Sequence, residues 1–406
     1  MGGGRGAAGC GQDIEHSQSY YVLEYPQIHT MVVGSPLTVA IALASLTSAF
    51  ADVTWGILGT GAVAHDFATV LQATPGCRVH AVGSRSQSSA DRFGEAHGIE
   101  ICYGSYEALA ADPKIDIVYV ASPSAHHVEH SELCLRAGRS VLCEKSMATT
   151  SEAAARVLAL AAELGLFFMH GVWTVHFPAV RRLIELVHGG LLGTIRYASV
   201  EFNQAPSVSG AEALGEGALL ETGIYPITLL DAVFGPPDTI TAAGQLSEQS
   251  GAEKQASLLL SYQGGTTLAH VHCGLTAGTP REAVFVGTEA TARLPFPFWC
   301  PTQLIIEREE GGQGPATRRE VLEFPLPEIP QPAGPFNFVN SEGFSYEIAE
   351  ANRCILERCT ESPALPAQAN TRILQLIDQA REQVRGQAKA RGTLKVNVAA
   401  SGATQG

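Results

Sequence analysis

The sequence predicts an α/β protein in which a parallel, doubly wound sheet is followed by an α+β region with a large, mainly antiparallel sheet. From Val53 onward, short apolar strands alternate with helical patterns, which is the order of elements that forms parallel sheets. From about Trp173, long strands follow one another through Gly-containing turns, which is typical of antiparallel hairpins. The predicted divisions are an N-terminal extension, a first domain, a second domain and a loose tail, at 1–52, 53–172, 173–387 and 388–406.

The first domain opens with a βαβ unit. The segment "VTWGILGTGAVAHDFATVLQ" combines an apolar strand, a glycine turn and a helix, and "VHAVGSR" is the next strand. Further helices are predicted in "SSADRFGEAHG", "YGSYEALAADPKI", "HHVEHSELCLRAG" and "SEAAARVLALAAELG". The strands between and after them are "DIVYVASPS", "SVLCEK" and "LFFMHGVW".

The second domain is predicted to contain mostly strands and to end in helices. Strands or hairpins are predicted in "TIRYASVEFN", "KQASLLLSYQGGTTLAHVHCGL", "EAVFVGTEATARL" and "TQLIIERE". A Pro-rich surface loop, "FPLPEIPQPAGPF", precedes two helices, "SEGFSYEIAEANRCILERC" and "NTRILQLIDQAREQVRG".

Composition and charge exclude several classes of function. The chain has 406 residues, 45% hydrophobic and 16% charged, which is enough for two domains with hydrophobic cores. Its net charge of -14 at pH 7 provides no positive field for nucleic-acid phosphates or anionic lipids, so neither is an expected partner. The nine cysteines are scattered singly, which favours reduced thiols over a disulfide or metal framework.

The N-terminal extension differs from the rest of the chain. An uncharged run, "PLTVAIALASLTSAFA", ends in Ala49-Phe50-Ala51, which has the form of a signal-peptidase site. No basic segment precedes this run, so a cytoplasmic protein is expected; secretion or organelle import is the alternative if 31–51 acts as a targeting signal. A membrane-spanning helix is less favoured still, because the run contains Pro36, Ser45, Thr47 and Ser48 and is barely long enough to cross a bilayer.

A GxGxxA motif lies between the first strand and the first helix. Gly59 permits a tight turn, Gly61 lets the backbone approach a pyrophosphate, and Ala64 lets the helix pack closely on the strand. The N-terminus of this helix, at Ala62, would face the anion. In this context the motif predicts a Rossmann domain that binds a dinucleotide, whereas alone it would be an ordinary glycine turn.

The end of the second strand selects the dinucleotide. An NAD site usually has an Asp or Glu at this point to hold the ribose hydroxyls, but here the chain reads "GSRSQSS", with Ser84 and Arg85. An arginine and hydroxyl groups suit a 2′-phosphate. The sequence therefore predicts NADP as the cofactor, with NAD as the less favoured alternative.

The stretch "SVLCEKSM" runs from an apolar strand directly into Glu144 and Lys145. A buried ammonium is costly without partners, so this lysine is either held in a structural pair, for example with Glu144, or kept for chemistry. Because the carboxyl ends of parallel strands meet at one edge, Lys145 is predicted to lie near the glycine turn and to face the nicotinamide. There its charge would lower the pKa of a reacting hydroxyl.

Several segments together resemble the glucose-fructose oxidoreductase, inositol dehydrogenase and MocA family. These segments are GxGxxA, "SPSAHH", "EKS", "GVWTVHFPA" and "EGALLETGIYPI". Within that family, "WCPTQLII", "GFSYEIAEANRCI" and "ESPALP" are most similar to the branch of dimeric trans-dihydrodiol dehydrogenases and NADP-dependent D-xylose 1-dehydrogenases. The resemblance implies a homodimer that oxidises a sugar, polyol or dihydrodiol hydroxyl by hydride transfer to NADP. It leaves open whether the substrate is D-xylose or a trans-dihydrodiol.

The resemblance also implies roles for individual residues. Lys145 matches the catalytic lysine of the family's EKP motif, and Tyr225 matches the proton-transferring residue of its DxGxY/H motif. A phenol has an ordinary pKa of about 10, so the Lys145 ammonium is expected to lower the pKa of Tyr225. The complete set of cofactor-binding candidates is Gly59, Gly61, Ala62, Ala64, Ser84, Arg85, Ser122, Pro123, His127, Glu144 and Lys145. The substrate-pocket candidates are Trp173, His176, Phe177 and Glu221, of which the first three are either pocket lining or core.

Four positions depart from the family pattern. Ser146 replaces the proline of EKP and is expected to alter the placement of Lys145, and Glu221 replaces the Asp of DxGxY. Val175 replaces an arginine that often follows Trp-Thr, and His176 stands where an aromatic residue is common. These changes surround the expected pocket, so they affect the substrate more than the type of reaction.

Two other functions fit parts of the sequence. A non-catalytic NADP-binding sensor would explain the substitutions around the pocket. A zinc peptidase would use the HxxEH pattern within "HHVEH", although this segment starts a helix where the family keeps a histidine near the cofactor, matched by His127. His270 and His272 lie on one face of a strand and could bind a metal, but alternating histidines are more typical of packed or surface side chains. The sequence therefore predicts no metal site.

Overall fold

Two β-sheets form the framework of the computed structural model, which describes residues 52–205, 217–309, 317–329 and 334–390. The strands of the first sheet are β1 (Val53–Leu58), β2 (Cys77–Gly83), β3 (Ile101–Tyr103), β4 (Ile117–Val120), β5 (Ser140–Glu144) and β6 (Phe168–Gly171). All pair in parallel, in the order β3-β2-β1-β4-β5-β6, which confirms the predicted doubly wound sheet. The sequence did not predict β3, because three residues are too few to show a pattern.

Five helices accompany the first sheet, and the sequence predicts all of them. They are α1 (Ala62–Ala73), α2 (Gln87–His97), α3 (Tyr106–Ala110), α4 (His127–Arg136) and α5 (Ser151–Leu164). The start of α5 is capped by the Thr150 side chain, which accepts a hydrogen bond from the Ala153 amide, and its end is marked by Gly165 at φ +64°. Strands β1 and β4 are buried along their whole length, as expected for a sheet covered on both faces.

The second sheet has eight strands and is mostly antiparallel. Its strands are β7 (Ile195–Asn203), β8 (Thr239–Leu246), β9 (Glu253–Tyr262), β10 (Thr267–Gly274), β11 (Ala283–Gly287), β12 (Thr291–Leu294), β13 (Gln303–Glu309) and β14 (Thr317–Glu323). The order is β14-β13-β12-β11-β7-β10-β9-β8, and β7 with β10 forms the one parallel pair in the described part of this sheet. The predicted fold class is therefore confirmed. The sequence missed β8 and β14, whose segments carry Ala, Gly or charges in place of an apolar alternation.

The chain after the first sheet also contains five α-helices in the described ranges. They are α6 (Pro178–His188), α7 (Ala218–Glu221), α8 (Ile224–Phe234), α9 (Phe344–Leu356) and α10 (Ala367–Ala390). The sequence predicts α9 and α10 but misses the other three. Helix α8 is almost entirely buried, so it lacks the one-sided apolar pattern that identifies a surface helix.

Helix α10 extends four residues beyond Gly386, where the sequence predicted its end. Two glutamines hold its last turns against β8. Gln383 accepts a hydrogen bond from the Ala242 amide at 2.7 Å, and Gln387 donates to the Ala242 carbonyl at 2.8 Å. These contacts offset the low helix propensity of glycine. The tail predicted at 388–406 is therefore helical at its start, and its remainder lies outside the described residues.

The C-terminal segment returns to the first sheet. The buried Asp66 carboxylate on α1 accepts hydrogen bonds from the Asn337 and Ser341 side chains, at 2.7 and 2.6 Å. The Trp55 indole on β1 donates to Asn352 on α9 at 3.0 Å. Residues distant in sequence thus support the strand and helix that carry the glycine motif.

Two further predictions concern segments at or outside the edges of the described structure. The proposed targeting segment, 31–51, lies outside the described residues. No helix within the described ranges is long and apolar enough to cross a bilayer. The Pro-rich segment has neither helix nor strand in its described parts, 324–329 and 334–336, as predicted.

Candidate active site

A cleft of about 700 Å³ lies at the carboxyl ends of β1, β2 and β4. It is lined by Gly59, Thr60, Gly61, Ser84, Arg85, Ser86, Ser89, Tyr106, Ala121, Ser122 and Pro123. The structure thus brings together six of the residues that were predicted to bind the cofactor. Ser86, which follows the arginine and supplies one of the hydroxyls expected there, also lines the cleft, together with Thr60 of the GxGxxA motif, Ser89, Tyr106 and Ala121.

The glycine turn has the form that a pyrophosphate requires. Gly59 has φ +114°, and a Cβ there would lie 2.5 Å from the Ala121 carbonyl oxygen, so only glycine fits. A Cβ on Gly61 would meet no described atom within 4 Å and would therefore project into open space. Helix α1 begins at Ala62 without a side-chain cap or an acidic residue in its first turn, which leaves its amides available to an anion. Ala64 is fully buried, as close packing of helix on strand requires.

The end of the cleft beyond β2 is rich in hydroxyl groups and holds a guanidinium. Ser84 and Arg85 are joined there by Ser86 and Ser89, and no carboxylate lines the cleft. The Ser89 hydroxyl also accepts a hydrogen bond from the exposed Arg92 at 3.1 Å. These donors fit a phosphate better than a pair of ribose hydroxyls.

His127 is placed behind the cleft rather than in it. The ring is 1% exposed, and its two nitrogens contact the main-chain oxygens of Ser122, at 2.6 Å, and Ser146, at 2.8 Å. Burial lowers the pKa of His127 to about 4, although the two oxygens act against this shift. His127 therefore connects the edge of the cleft with the turn that follows Lys145.

The other histidines of "HHVEH" make short-range contacts. His130 Nδ1 lies 2.8 Å from the Ser122 hydroxyl, and His126 Nδ1 lies 3.4 Å from the Glu129 carboxylate. Across the described ranges, no three His, Cys, Asp or Glu side chains are grouped so that they could hold a metal ion. The contacts of His130 place this segment beside the nucleotide cleft.

Lys145 lies where β5 ends and is bound to Glu221. Its Nζ lies 2.9 Å from Glu221 Oε2 and 3.3 Å from the Glu221 carbonyl oxygen, both of which accept hydrogen bonds. The same Nζ lies 5.6 Å from the centroid of the Tyr225 ring. The structure thus brings together three predicted site residues that come from two distant parts of the sequence.

Glu144 does not hold the lysine in the way that the sequence suggested. Its buried carboxylate accepts hydrogen bonds from the Tyr119 hydroxyl at 2.5 Å and from the Lys145 amide at 3.1 Å. Successive side chains of an extended chain point to opposite sides, so Glu144 points into the core and Lys145 toward Glu221. The prediction that Glu144 anchors the ammonium is wrong, and its assignment as a cofactor contact stays a prediction.

Ser146 is built into the turn after the lysine. The Lys145–Ser146 peptide bond is cis. The Ser146 hydroxyl donates a hydrogen bond to the Leu220 carbonyl at 3.1 Å. This bond ties the turn to the residue that precedes Glu221.

Burial and charge act in opposite directions on the pKa values of this group. Burial would lower the pKa of Lys145, but the neighbouring acidic groups, among them the Glu221 carboxylate that accepts its hydrogen bond, outweigh burial and raise the pKa, so the side chain is an ammonium. Burial raises the pKa of Tyr225 above its ordinary value, and the Lys145 ammonium offsets this only in part. The expectation of a Tyr225 pKa lowered by Lys145 is therefore not met, because the loss of hydration is the larger effect.

An aromatic cluster that was not predicted from the sequence adjoins Tyr225. The Phe202 ring lies 5.4 Å from the Tyr225 ring and stacks on Trp299 at 3.9 Å between centroids. Phe296 follows at 5.6 Å from Trp299. The concentration of aromatic residues in "FPFWC" was the sequence signal that could have indicated this cluster.

Trp173, His176 and Phe177 are packed in the hydrophobic core. Trp173 contacts Phe177 at 5.4 Å and Phe344 of α9 at 4.6 Å between ring centroids. His176 is 1% exposed, and burial, followed by the Arg181 charge, lowers its pKa to about 3. A role for these three residues in the substrate pocket stays a prediction.

Comparison with known families identifies this arrangement. A family model described as "Oxidoreductase family, NAD-binding Rossmann fold" matches residues 53–172, and a "GFO/IDH/MocA C-terminal domain" model matches residues 180–293. The chain belongs to the GFO/IDH/MocA family of oxidoreductases. It is therefore an NAD(P)-dependent oxidoreductase with an NAD(P)-binding Rossmann domain, and the resemblance in the sequence is confirmed.

GFO/IDH/MocA relatives are similar over almost their whole length. The trans-1,2-dihydrobenzene-1,2-diol dehydrogenase of Danio rerio is 35% identical over 337 residues, which cover 81% of this chain and 96% of that protein. The Homo sapiens enzyme of the same name is 33% identical over 343 residues, with coverage of 81% and 96%.

Solved structures show the same fold. A 3-ketoreductase from Actinomadura kijaniata, in complex with NADP and TDP-benzene, has a TM-score of 0.70 at 25% identity, with coverage of 82% of this chain and 98% of that one. A levoglucosan dehydrogenase, in complex with NADH and levoglucosan, has a TM-score of 0.71 at 16% identity, with the same coverage.

Proposed function

We propose that this oxidoreductase is an NADP-dependent dehydrogenase that oxidises a hydroxyl group of a sugar or a cyclic diol. The observation that carries the proposal is the group formed by Lys145, Glu221 and Tyr225. Lys145 follows β5, at the same edge of the sheet as the cleft with the glycine turn. A cation, a phenol and a dinucleotide cleft on one edge are the parts that alcohol oxidation by hydride transfer requires.

The cleft fits NADP. The turn at Gly59 and the free amides at the start of α1 suit the pyrophosphate, and Arg85 with its neighbouring serines suits a 2′-phosphate. The cofactor, when bound, accepts a hydride from the substrate carbon. The absence of a carboxylate from the cleft lining supports NADP over NAD.

Tyr225 and Lys145 are assigned the movement of the proton. Tyr225 is to accept the hydroxyl proton of the substrate, while the Lys145 ammonium stabilises the negative charge that develops on the oxygen. Glu221 keeps Lys145 charged and oriented through the contact at 2.9 Å. Because burial raises the pKa of Tyr225, the phenolate is unfavourable in the free enzyme, and activity is expected to rise with pH.

The aromatic cluster supports a ring-shaped substrate. Phe202 and Trp299 are buried and stack on each other beside Tyr225, and the accessible ring of the cluster is Phe296, which is 49% exposed and against which the carbon face of a sugar or a dihydrodiol ring can pack. Both D-xylose, which would give the lactone, and trans-dihydrodiols, which would give catechols, remain within the proposal. The names of the dihydrodiol dehydrogenase relatives favour the second class.

We also propose a homodimer that forms through the outer face of the second sheet. Tyr197 on β7, Leu268 on β10 and Leu259 on β9 are exposed on three adjacent strands, with 42%, 41% and 50% of their surface accessible. His270 and His272 lie on the same face, and His272 hydrogen-bonds to Ser257 at 2.7 Å. An apolar group of this kind on a flat sheet favours association with a matching surface.

The two rival functions are weaker. The family is one of oxidoreductases, which favours an enzyme. A sensor that only binds the cofactor would not need the group formed by Lys145, Glu221 and Tyr225. For a peptidase, several metal ligands would have to meet, and no group of three His, Cys, Asp or Glu side chains that could hold a metal ion occurs in the described ranges.

The test is a set of initial rates of nicotinamide reduction with the full chain. NADP⁺ and NAD⁺ are each combined with D-xylose, other aldoses, inositol and trans-dihydrobenzenediol. An NADP⁺-dependent rate that disappears in Tyr225→Phe, while NADPH binding is retained, would support the proposal. Tight NADPH binding by the wild type without turnover of any substrate would favour the sensor.

A further inference from the structure

Arg281 is a cation whose side chain forms no salt bridge with any described residue. It lies in the loop between β10 and β11, with φ +58°. Its guanidinium forms no ion pair and donates no hydrogen bond among the described residues, and its Nε is buried without a partner. Buried or half-buried charges are normally paired, because the loss of hydration is costly. An unpaired guanidinium in a partly buried position therefore calls for an explanation.

The aromatic cluster holds this guanidinium in place. Its carbon lies 4.4 Å from the Phe296 ring centroid and 6.0 Å from that of Trp299. Stacking on rings covers the flat faces of a guanidinium and leaves the N–H groups at its edge free to donate. Arg281 is thus oriented without using its hydrogen-bonding capacity.

Ring-to-ring contacts connect Arg281 with Tyr225. From Trp299 the cluster continues through Phe202 to Tyr225, with ring centroids 3.9 and 5.4 Å apart. The loop of Arg281 follows Gly274, which pairs with Asn203 at the end of β7, so it emerges at the same end of the sheet as Phe202. Asn203 Oδ1 is also buried without a described partner.

We propose that Arg281 binds an anionic group on a substrate, a carboxylate or a phosphate, so that acidic sugars or acidic cyclic diols are preferred over neutral ones. The exposed Phe296 ring, next to Trp299, packs against the ring of this substrate. Its reacting hydroxyl lies at Tyr225 and its anion at Arg281. This inference rests on the proposed function, because it assigns both ends of one substrate. It follows from the free donors of Arg281, which suit an oxyanion in a planar, bidentate arrangement.

Three sugars that differ only at carbon 6 provide the test. D-glucose, D-glucuronate and D-glucose 6-phosphate carry a hydroxymethyl, a carboxylate and a phosphate at that position. Calorimetric titration of each into the full chain saturated with NADPH measures binding without turnover. One or both of the acidic sugars should bind about 10- to 100-fold more tightly than glucose, as a charge-assisted hydrogen-bonded pair allows. Which acidic sugar is preferred separates a carboxylate site from a phosphate site.

Variants then separate recognition from packing. Arg281→Gln should remove the preference for the acidic sugar and leave binding of glucose unchanged, whereas Arg281→Lys should retain part of it. Arg293→Gln is the matched control, because Arg293 lies on the same sheet but is paired with Glu282 at 2.9 Å. The inference would be overturned if the wild type bound all three sugars with equal affinity, or if it bound none of them. An equal loss for all three in Arg281→Gln would also overturn it.

Failure of this inference is distinguishable from failure of the proposed function. Selective binding of an acidic sugar without turnover would support the site while arguing against the dehydrogenase. Turnover of neutral substrates that Arg281→Gln leaves unchanged, with no preference for acidic sugars, would support the dehydrogenase and exclude the anion site. If Arg281→Gln does not fold, loss of the wild-type preference at high salt provides the same information, since salt screens the charge pair.

Discussion

Replacement of Lys145 by methionine tests the central assignment, because it removes the charge and keeps much of the side-chain volume. Lys145 Nζ lies 5.6 Å from the centre of the Tyr225 ring. In a partly hydrated site, the attraction between the Lys145 ammonium and a Tyr225 phenolate at this distance is worth about 3 kcal/mol. That energy alone corresponds to about a hundredfold in rate. Loss of the contact with the developing charge on the substrate oxygen adds to it, and kcat is expected to fall by two to three orders of magnitude.

The assay for Lys145→Met compares kcat with cofactor affinity. Initial rates of nicotinamide reduction give kcat, and NADPH fluorescence gives binding, which should stay nearly unchanged because the lysine is not among the residues lining the nucleotide cleft. Lys114→Met is the matched control, since it makes the same chemical change at an exposed lysine of the first domain. A kcat close to that of the wild type would refute the assignment. A parallel loss of NADPH binding would instead show that Lys145 acts through the cofactor.

Three further predictions concern the cofactor, the fold and the effect of pH. Arg85→Asp should raise the KM for NADP⁺ by about 10- to 100-fold, because it replaces a phosphate partner with a like charge, and should change the KM for NAD⁺ far less. Initial rates with each coenzyme check this, and equal effects would mean that Arg85 does not meet the 2′-phosphate. Asp66→Asn should lower the free energy of unfolding, measured by urea denaturation, by about 3 kcal/mol. The substitution removes the charge of a buried carboxylate that accepts hydrogen bonds from the Asn337 and Ser341 side chains. An unchanged denaturation midpoint would contradict it. The melting temperature should fall as pH decreases from about 6.5 toward about 4. Burial lowers the pKa of His127 and of His170 to about 4, whereas a histidine in the unfolded chain has a pKa of about 6.5. In this pH range the unfolded chain therefore binds protons that the folded chain does not, which favours unfolding. His176→Phe, which removes a third such histidine, should weaken this dependence, and a dependence equal to that of the wild type would count against the explanation.

The first sheet could be predicted because its signals are local. The turn at Gly59 lies between a strand and a helix that are contiguous in sequence, and each later strand is separated from the next by its own helix. Strand β8 was missed because it acquires its stability from neighbours, above all from β9 and α10, rather than from its own apolar pattern.

The candidate site divides in the same way. Arg85 and the glycines could be assigned from adjacent residues, whereas the approach of Tyr225 to Lys145 joins positions 80 residues apart and was indicated only by the family resemblance. The choice of Glu144 as the partner of Lys145 was wrong because neighbours in an extended chain point to opposite sides. Tertiary structure supplied Glu221 instead, and the same holds for the aromatic residues beside Tyr225, which converge from β7 and from the loop before β13.

Glutamine side chains of α10 hydrogen-bond to the main chain of β8, the strand at one edge of the second sheet. A side-chain amide offers one acceptor and two donors, and Gln383 uses both kinds, accepting from the Ala242 amide and donating to the Ile240 carbonyl at 3.1 Å. To the main chain of β8, the helix therefore presents the same hydrogen-bonding groups as a further strand would. A foreign strand that tried to add to the sheet at this edge would have to displace the helix first. A chain cut before Gln383 would lose that protection, and we expect it to self-associate through β8.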